Sequence, residues 1–256
     1  MRDSFVIAIT GKGGTGKTAL ATIMIGLLAE RYPDEVLAID ADSASSLPFT
    51  LGITVDKTVS EFRKKLSGSK ELQMGLDNSP SKEIMRSLLT KGHGFDLLAM
   101  GRPEGAGCFC AVNDLLKLGI SMLAGDYRIT IIDGEAGPEQ LNRRVVEEVD
   151  VLLVVADMSR RSISTAAEIM KVAQSSGDSE IHVKRAGLVL NRVRNDRIEK
   201  SLIMQTGLDI LAELPEDSLI YSYDKEGTPL LDLPPNSPFL SAARSLLWGL
   251  IPKDAR

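Results

Sequence analysis

Apolar residues recur along this chain in two alternating rhythms. Short, nearly unbroken runs such as Phe5-Val6-Ile7-Ala8-Ile9, Ile129-Thr130-Ile131-Ile132 and Val151-Leu152-Leu153-Val154-Val155 suit strands covered on both faces. Between the runs, apolar positions fall three and four apart, as in Leu20, Ile23, Met24, Leu27 and Leu28, which mark one face of a helix. These patterns predict strands near 4–10, 35–40, 95–100, 128–133, 150–156, 186–191 and 209–214. Helices are expected over 17–31, 58–67, 81–91, 111–124, 138–148, 161–175, 196–206 and 238–250. Strand and helix in alternation imply an α/β chain: a mainly parallel sheet with helices on both faces. No internal repeat, low-complexity tract or Gly/Ser linker interrupts the pattern. The expectation is one domain over 1–256, with a less regular insertion near 67–94.

The last helix has Phe239, Leu240, Ala243, Leu246, Leu247, Leu250 and Ile251 on one face. A membrane-surface helix carries several Lys or Arg opposite such a face, and here only Arg244 lies within it. Packing on the sheet is the expected role.

Composition narrows the function class. A chain of 256 residues buries a full core. A formal net charge of -5 argues against non-specific binding to nucleic acid phosphates. No charged-then-apolar leader and no membrane-length apolar run is present. The two cysteines, Cys108 and Cys110, do not make a disulfide framework, so a reducing cytoplasm is the expected location.

The chemistry starts at Gly11-Lys12-Gly13-Gly14-Thr15-Gly16-Lys17-Thr18, between the first strand and the first helix. Glycines let the backbone curl until several N–H groups point inward, and the helix N-terminus adds partial positive charge. Lys17 is placed to reach the β- and γ-phosphates of a nucleotide and the Thr18 hydroxyl to bind Mg²⁺. In an open parallel sheet the ligand sits beyond the carboxyl ends of the strands. Two further strands end there in acids: Asp40-Ala41-Asp42, and Asp133 followed by Gly134-Glu135-Ala136-Gly137. Buried acids need pairing or a cation, so Asp133 is a candidate for the metal's outer shell. Asp42 is a candidate for orienting the attacking water. Asp40 reads equally as metal support or as a turn carboxylate. The Gly137 N–H is expected near a γ-phosphate, in a segment able to shift after hydrolysis.

Asn191, at the end of another strand and followed by Arg192, carries both donor and acceptor groups suited to an adenine edge. Leu214-Pro215-Glu216-Asp217 is a candidate to close over the same base, and equally a good helix start. His93 and His182 have no ligand spacing to the cysteines and read as structural. Lys184, Arg185, Arg192, Arg194 and Arg197 are interspersed with acids and read as a solvated face.

The second lysine of the loop, Lys12, resembles the "deviant" Walker A loop of the MinD/ParA-type ATPases. Asp40-Ala41-Asp42, Asp133 to Gly137 and Asn191-Arg192 follow in that family's order. The resemblance implies a P-loop NTPase fold, ATP and ADP as ligands with Mg²⁺, and slow hydrolysis. It also implies a nucleotide-sandwich homodimer in which Lys12 reaches the partner's phosphates. Lys12, Lys17 and Asp42 are then the catalytic candidates. Gly11 to Thr18, Gly137, Asn191, Arg192, Pro215 and Asp217 would line the nucleotide.

Within that group, Met100 to Cys110, with its Cys-X-Cys, is similar to the CooC-type nickel-insertion ATPases that serve carbon monoxide dehydrogenase. Asp133 to Leu141 and Leu190 to Asn195 share that likeness. Asp157-Met158-Ser159-Arg160-Arg161 departs from it, since relatives usually carry a Glu-Pro-type turn. In an extended segment Cys108 and Cys110 face the same side. Two thiolates half-fill a tetrahedral site, and a two-fold dimer would bring four together. Zn²⁺, Ni²⁺ or an iron–sulfur cluster would each fit, and two packed cysteines or a labile vicinal thiol pair are the plain alternatives. The resemblance therefore implies a metal-binding ATPase with carbon monoxide dehydrogenase as client. The alternatives are a positioning ATPase acting on membrane or DNA, or a redox carrier similar to the nitrogenase iron protein. The charge and the last helix point away from nucleic acid and membrane.

Overall fold

In the computed structural model, which describes residues 4–67, 81–102, 118, 120–136, 148–174, 182–194, 203–204 and 206–252, the apolar runs pair into one sheet. Its strands are β1 (Phe5–Gly11), β2 (Val36–Asp40), β3 (Thr90–Lys91), β4 (Asp96–Ala99), β5 (Ile129–Ala136), β6 (Glu148–Asp157), β7 (His182–Val193) and β8 (Ile210–Pro215). They lie in the order β3-β4-β2-β5-β1-β6-β7-β8. All neighbours run parallel except β3, which is antiparallel to β4. The α/β class and mainly parallel sheet are therefore as the rhythm predicts.

The helices are α1 (Lys17–Arg31), α2 (Ser46–Leu51), α3 (Val59–Ser67), α4 (Ser81–Ser87), α5 (Arg160–Gln174), α6 (Ser218–Glu226) and α7 (Pro238–Leu250). Alternation along the strands splits the core into two layers. Ile7, Ile9, Val36 and Ala38 join α1 and α7 on one face; Val6, Leu37, Ile39 and Leu152 join residues of α4 and α5 on the other. The face of α7 formed by Phe239, Leu240, Ala243, Leu246, Leu247 and Leu250 is buried, as expected of a helix packed on the sheet. Each Phe or Leu side chain of that face contributes about 1.5–3 kcal/mol on burial. Among the described residues no helix is long and apolar enough to cross a membrane.

Several boundaries differ from expectation. The helix expected over 81–91 stops at Ser87, and the chain turns through Thr90–Lys91 into an antiparallel edge strand. The hairpin closes through the Gly92 N–H on the Phe95 carbonyl, with Gly94 at φ +78, and His93 lies in that loop. Two short helices lie outside the predicted spans: α2, for which the sequence offers no signal, and α6, for which it offers only the start at Pro215 to Asp217; each ends on a left-handed glycine, Gly52 or Gly227. β7 starts four residues early, through the polar stretch beginning at His182. Of the helix expected over 138–148, residues 138–147 lie outside the described residues and Glu148 opens β6; most of 196–206 also lies outside them, and of 111–124 the described residues, 118 and 120–124, are helical.

Candidate functional site

The carboxyl ends of the strands gather one constellation. β1 leaves the sheet at Gly11, whose φ is +148 and where a Cβ would lie 2.1 Å from the Val155 carbonyl of β6. Only glycine lets the backbone pass so close. The loop then folds on itself: the Thr15 hydroxyl donates to the Lys12 carbonyl at 2.8 Å, and Lys17 Nζ donates to the same oxygen at 3.4 Å. Gly16, at φ +94, starts α1 with no side-chain cap and no acid in its first turn. Its first N–H groups are thus left for an anion, the electrostatics expected of a phosphate site. Lys17 is buried, which lowers its pKa, while Asp133, Asp42 and Glu135 pull it upward.

Asp40 and Asp133 are register partners on β2 and β5, and neither exposes any surface. Asp40 Oδ1 accepts the Asp42 N–H at 3.1 Å. The other Asp40 oxygen and both Asp133 oxygens have no hydrogen-bond partner. Burial, reinforced by Asp133, pushes Asp40 up to about 7. Burial also pushes Asp133 up to about 7, against the opposing pull of the Thr18 side chain and Lys17. Orphaned, desolvated carboxylate oxygens are costly unless a cation completes them. A hard divalent ion fits this donor set. Magnesium commonly takes one or two carboxylates and draws the rest from phosphate and water.

Asp42 sits in a tight turn: its Oδ1 accepts the Ala44 N–H at 2.8 Å, and Ser45 closes the turn at φ +51. Asn191 is buried against the loop, its Nδ2 donating to the Thr15 carbonyl at 2.7 Å and its Oδ1 accepting the Arg192 N–H at 2.8 Å. A Cβ on Gly16 would lie 2.2 Å from that Nδ2. Asn191 therefore braces the phosphate loop. Arg192 follows at φ +56. Pro215 ends β8 opposite Val193. Asp217 caps α6 by accepting the Leu219 N–H at 3.0 Å, and its second oxygen accepts the Ser237 hydroxyl at 2.6 Å. The helix-start reading of that segment is thus realised. Gly137, Cys108 and Cys110 lie outside the described residues.

Two acids join the site that were not singled out from the sequence. Asp157, at the tip of β6, is in register with Asn191. Burial would raise it, but two hydrogen bonds from Ser159 and the charges of Lys12 and Arg192 outweigh that and lower its pKa. Glu135 accepts the Ser43 hydroxyl at 2.8 Å. The same rule that marks Asp40 and Asp133, an acid closing an apolar strand, marks Asp157 as well.

The CobQ/CobB/MinD/ParA nucleotide binding domain matches residues 6–230. An uncharacterized ATP-binding protein of Methanocaldococcus jannaschii is 39% identical over 97% of this chain and 99% of its own length. The carbon monoxide dehydrogenase accessory protein CooC of Rhodospirillum rubrum is 29% identical over 90% of each chain. Among solved structures, a ParA family ATPase from Chlorobium tepidum superposes with a TM-score of 0.74 at 19% identity, over 97% of this chain and 99% of that one. The septum site-determining protein MinD of Pyrococcus horikoshii, complexed with Mg-ADP, gives 0.67 at 25% identity, over 95% and 94%.

Proposed function

The chain belongs to the CobQ/CobB/MinD/ParA nucleotide-binding family of P-loop ATPases, and from that premise we propose that it is a nucleotide-dependent dimerising ATPase that carries a metal for nickel insertion into carbon monoxide dehydrogenase. The hydrolytic half of this reading rests on one observation: buried Lys17 faces strand-tip acids that leave three carboxylate oxygens unpartnered. The backbone N–H groups of residues 13–18 bind the phosphates, and Lys17 neutralises the β- and γ-oxygens. Thr18, Asp40 and Asp133 hold Mg²⁺, which supplies further charge neutralisation. Asp42 orients the attacking water. Phosphoryl transfer asks little more of a protein than such positioning and charge. Lys12 reaches the phosphates of a second copy.

The metal half is supported by the likeness to CooC along most of the chain, together with Cys108 and Cys110. Two thiolates from each of two subunits complete a four-sulfur site for Ni²⁺ or Zn²⁺. Metal and ATP then favour the same dimer, and each tightens the other's binding. Light scattering tests this: Ni²⁺ or Zn²⁺ converts the protein to dimers, and Cys108→Ser abolishes the conversion. Unchanged metal-driven dimers in that variant refute the site.

A further inference from the structure

The loop that carries Asp42 is fastened at both ends. At its start the Ala41 N–H donates to the Asp133 carbonyl at 2.9 Å. Beyond its end, α2 is bolted to α1, with the Thr22 and Thr50 hydroxyls 2.6 Å apart and Thr22 also donating to the Thr18 carbonyl at 2.8 Å. Between these points the Ser43 hydroxyl donates to Glu135 Oε1 at 2.8 Å. Ser43 directly follows Asp42, so this bond acts one residue from the candidate water-orienting carboxylate.

The backbone under Glu135 is shaped for that contact. β1 and β5 pair in register from Phe5 with Ile129 to Ile9 with Asp133, then Gly11 pairs with Ala136. One extra residue on β5 makes a bulge at Gly134–Glu135. Bulges beside active sites re-aim a side chain. Gly134 is needed there, since a Cβ would lie 2.7 Å from the Ile9 carbonyl. Glu135 also contributes to the field at Lys17. One acid is thus electrostatically linked to the phosphate-binding lysine and hydrogen-bonded to the Asp42 loop.

We propose that Glu135 is a positioning residue for ATP hydrolysis: it holds Ser43, and through Ser43 it sets where Asp42 presents its carboxylate. This rests on the reading of Asp42 as the group that orients water. A small misplacement of such a group slows the chemical step without weakening ground-state binding.

The test is kcat and KM for ATP in the full chain and in Ser43→Ala, Glu135→Ala, Glu135→Gln, the Ser43→Ala/Glu135→Ala double variant and Asp42→Asn. Ser43→Ala and Glu135→Ala should each lower kcat about tenfold while KM moves less than about twofold. The double variant should be no slower than Glu135→Ala alone, because that single variant has already lost the Ser43 bond along with the charge near Lys17. Glu135→Gln should stay within about threefold of wild type, since an amide oxygen still accepts from Ser43. Additive losses in the double variant, an effect confined to KM, or Glu135→Gln as slow as Glu135→Ala would each overturn the proposal. If Asp42→Asn turns over at the wild-type rate, the Asp42 assignment falls and the proposal falls with it. If Asp42→Asn is slow but the Ser43 and Glu135 variants are not, the proposal falls alone.

Discussion

Asp96 and Asp150, at the amino ends of the strands, and Asp40 and Asp133, at the carboxyl ends, are treated in opposite ways. At the amino ends, Asp96 accepts from Lys91 at 2.8 Å and from the Tyr127 hydroxyl, and Asp150 accepts from the Val6 N–H at 2.8 Å and from Lys184 at 3.0 Å. Each carboxylate there has partners that the fold itself supplies. At the carboxyl ends, Asp40 and Asp133 are more deeply buried, yet three of their oxygens have none. The carboxyl ends also hold the close approach of Gly11 to the Val155 carbonyl, whereas left-handed non-glycine residues occur at both ends, Ser45 and Arg192 at one and Asp34, before β2, at the other. Satisfied acids consolidate a fold; orphaned buried acids at one edge mark the place where a ligand completes it.

The contrast breaks if activity and stability respond alike at both ends. The largest effect is expected from Lys17→Ala, which should lower ATP hydrolysis by at least about a thousandfold with the fold retained. Retained turnover would contradict the assignment of the phosphate loop. Next comes a pH dependence. Asp40 and Asp133 titrate near 7 in the folded chain, against about 3.9 unfolded. The folded state therefore binds more protons between those values. Stability from these groups is fully present below about 4 and is lost as pH rises through 7. In EDTA, thermal melts should show this loss, amounting to a few kcal/mol at about 1.4 kcal/mol per pKa unit. Asp133→Asn should flatten that slope and hold the protein more stable at pH 8; an unchanged slope would sink the argument. The smallest effect on function belongs to the other end. Asp96→Ala leaves the largely buried Tyr127 hydroxyl without its acceptor and should cost about 1–3 kcal/mol in denaturant unfolding. Hydrolysis by the folded variant should stay within about twofold, whereas a large loss of turnover would erase the difference between the ends.

Much of this contrast was legible before the fold. The glycines at 11, 14 and 16 carry their geometry in the sequence, because a curled loop between strand and helix needs them. Asp40 and Asp133 announce themselves as acids closing apolar runs. Glu135 does not: its importance comes from a one-residue bulge and from Ser43, 92 positions away, and neither is a local signal. Asp157 follows the strand-tip rule but was hidden behind a turn that departs from the family pattern. Asn191 was legible as polar at a strand end; its hold on Thr15 is a long-range contact that periodicity does not carry. The helices α2 and α6 are six and nine residues long, too short for a clear apolar face, and only the start of α6 is marked in the sequence, by Pro215 to Asp217. The edge strand β3 is two residues, defined by its hairpin rather than by hydrophobic alternation.

The account turns on unpaired carboxylates at the strand tips being completed by a magnesium-bound nucleotide. Thermal melts of wild type and Asp133→Asn at pH 8, with ADP plus Mg²⁺ against ADP plus EDTA, address it directly. Wild type should gain several degrees from the metal, as mass action requires for a ligand that binds only the folded state, while Asp133→Asn gains little. A variant that keeps the full metal-dependent gain would contradict the account.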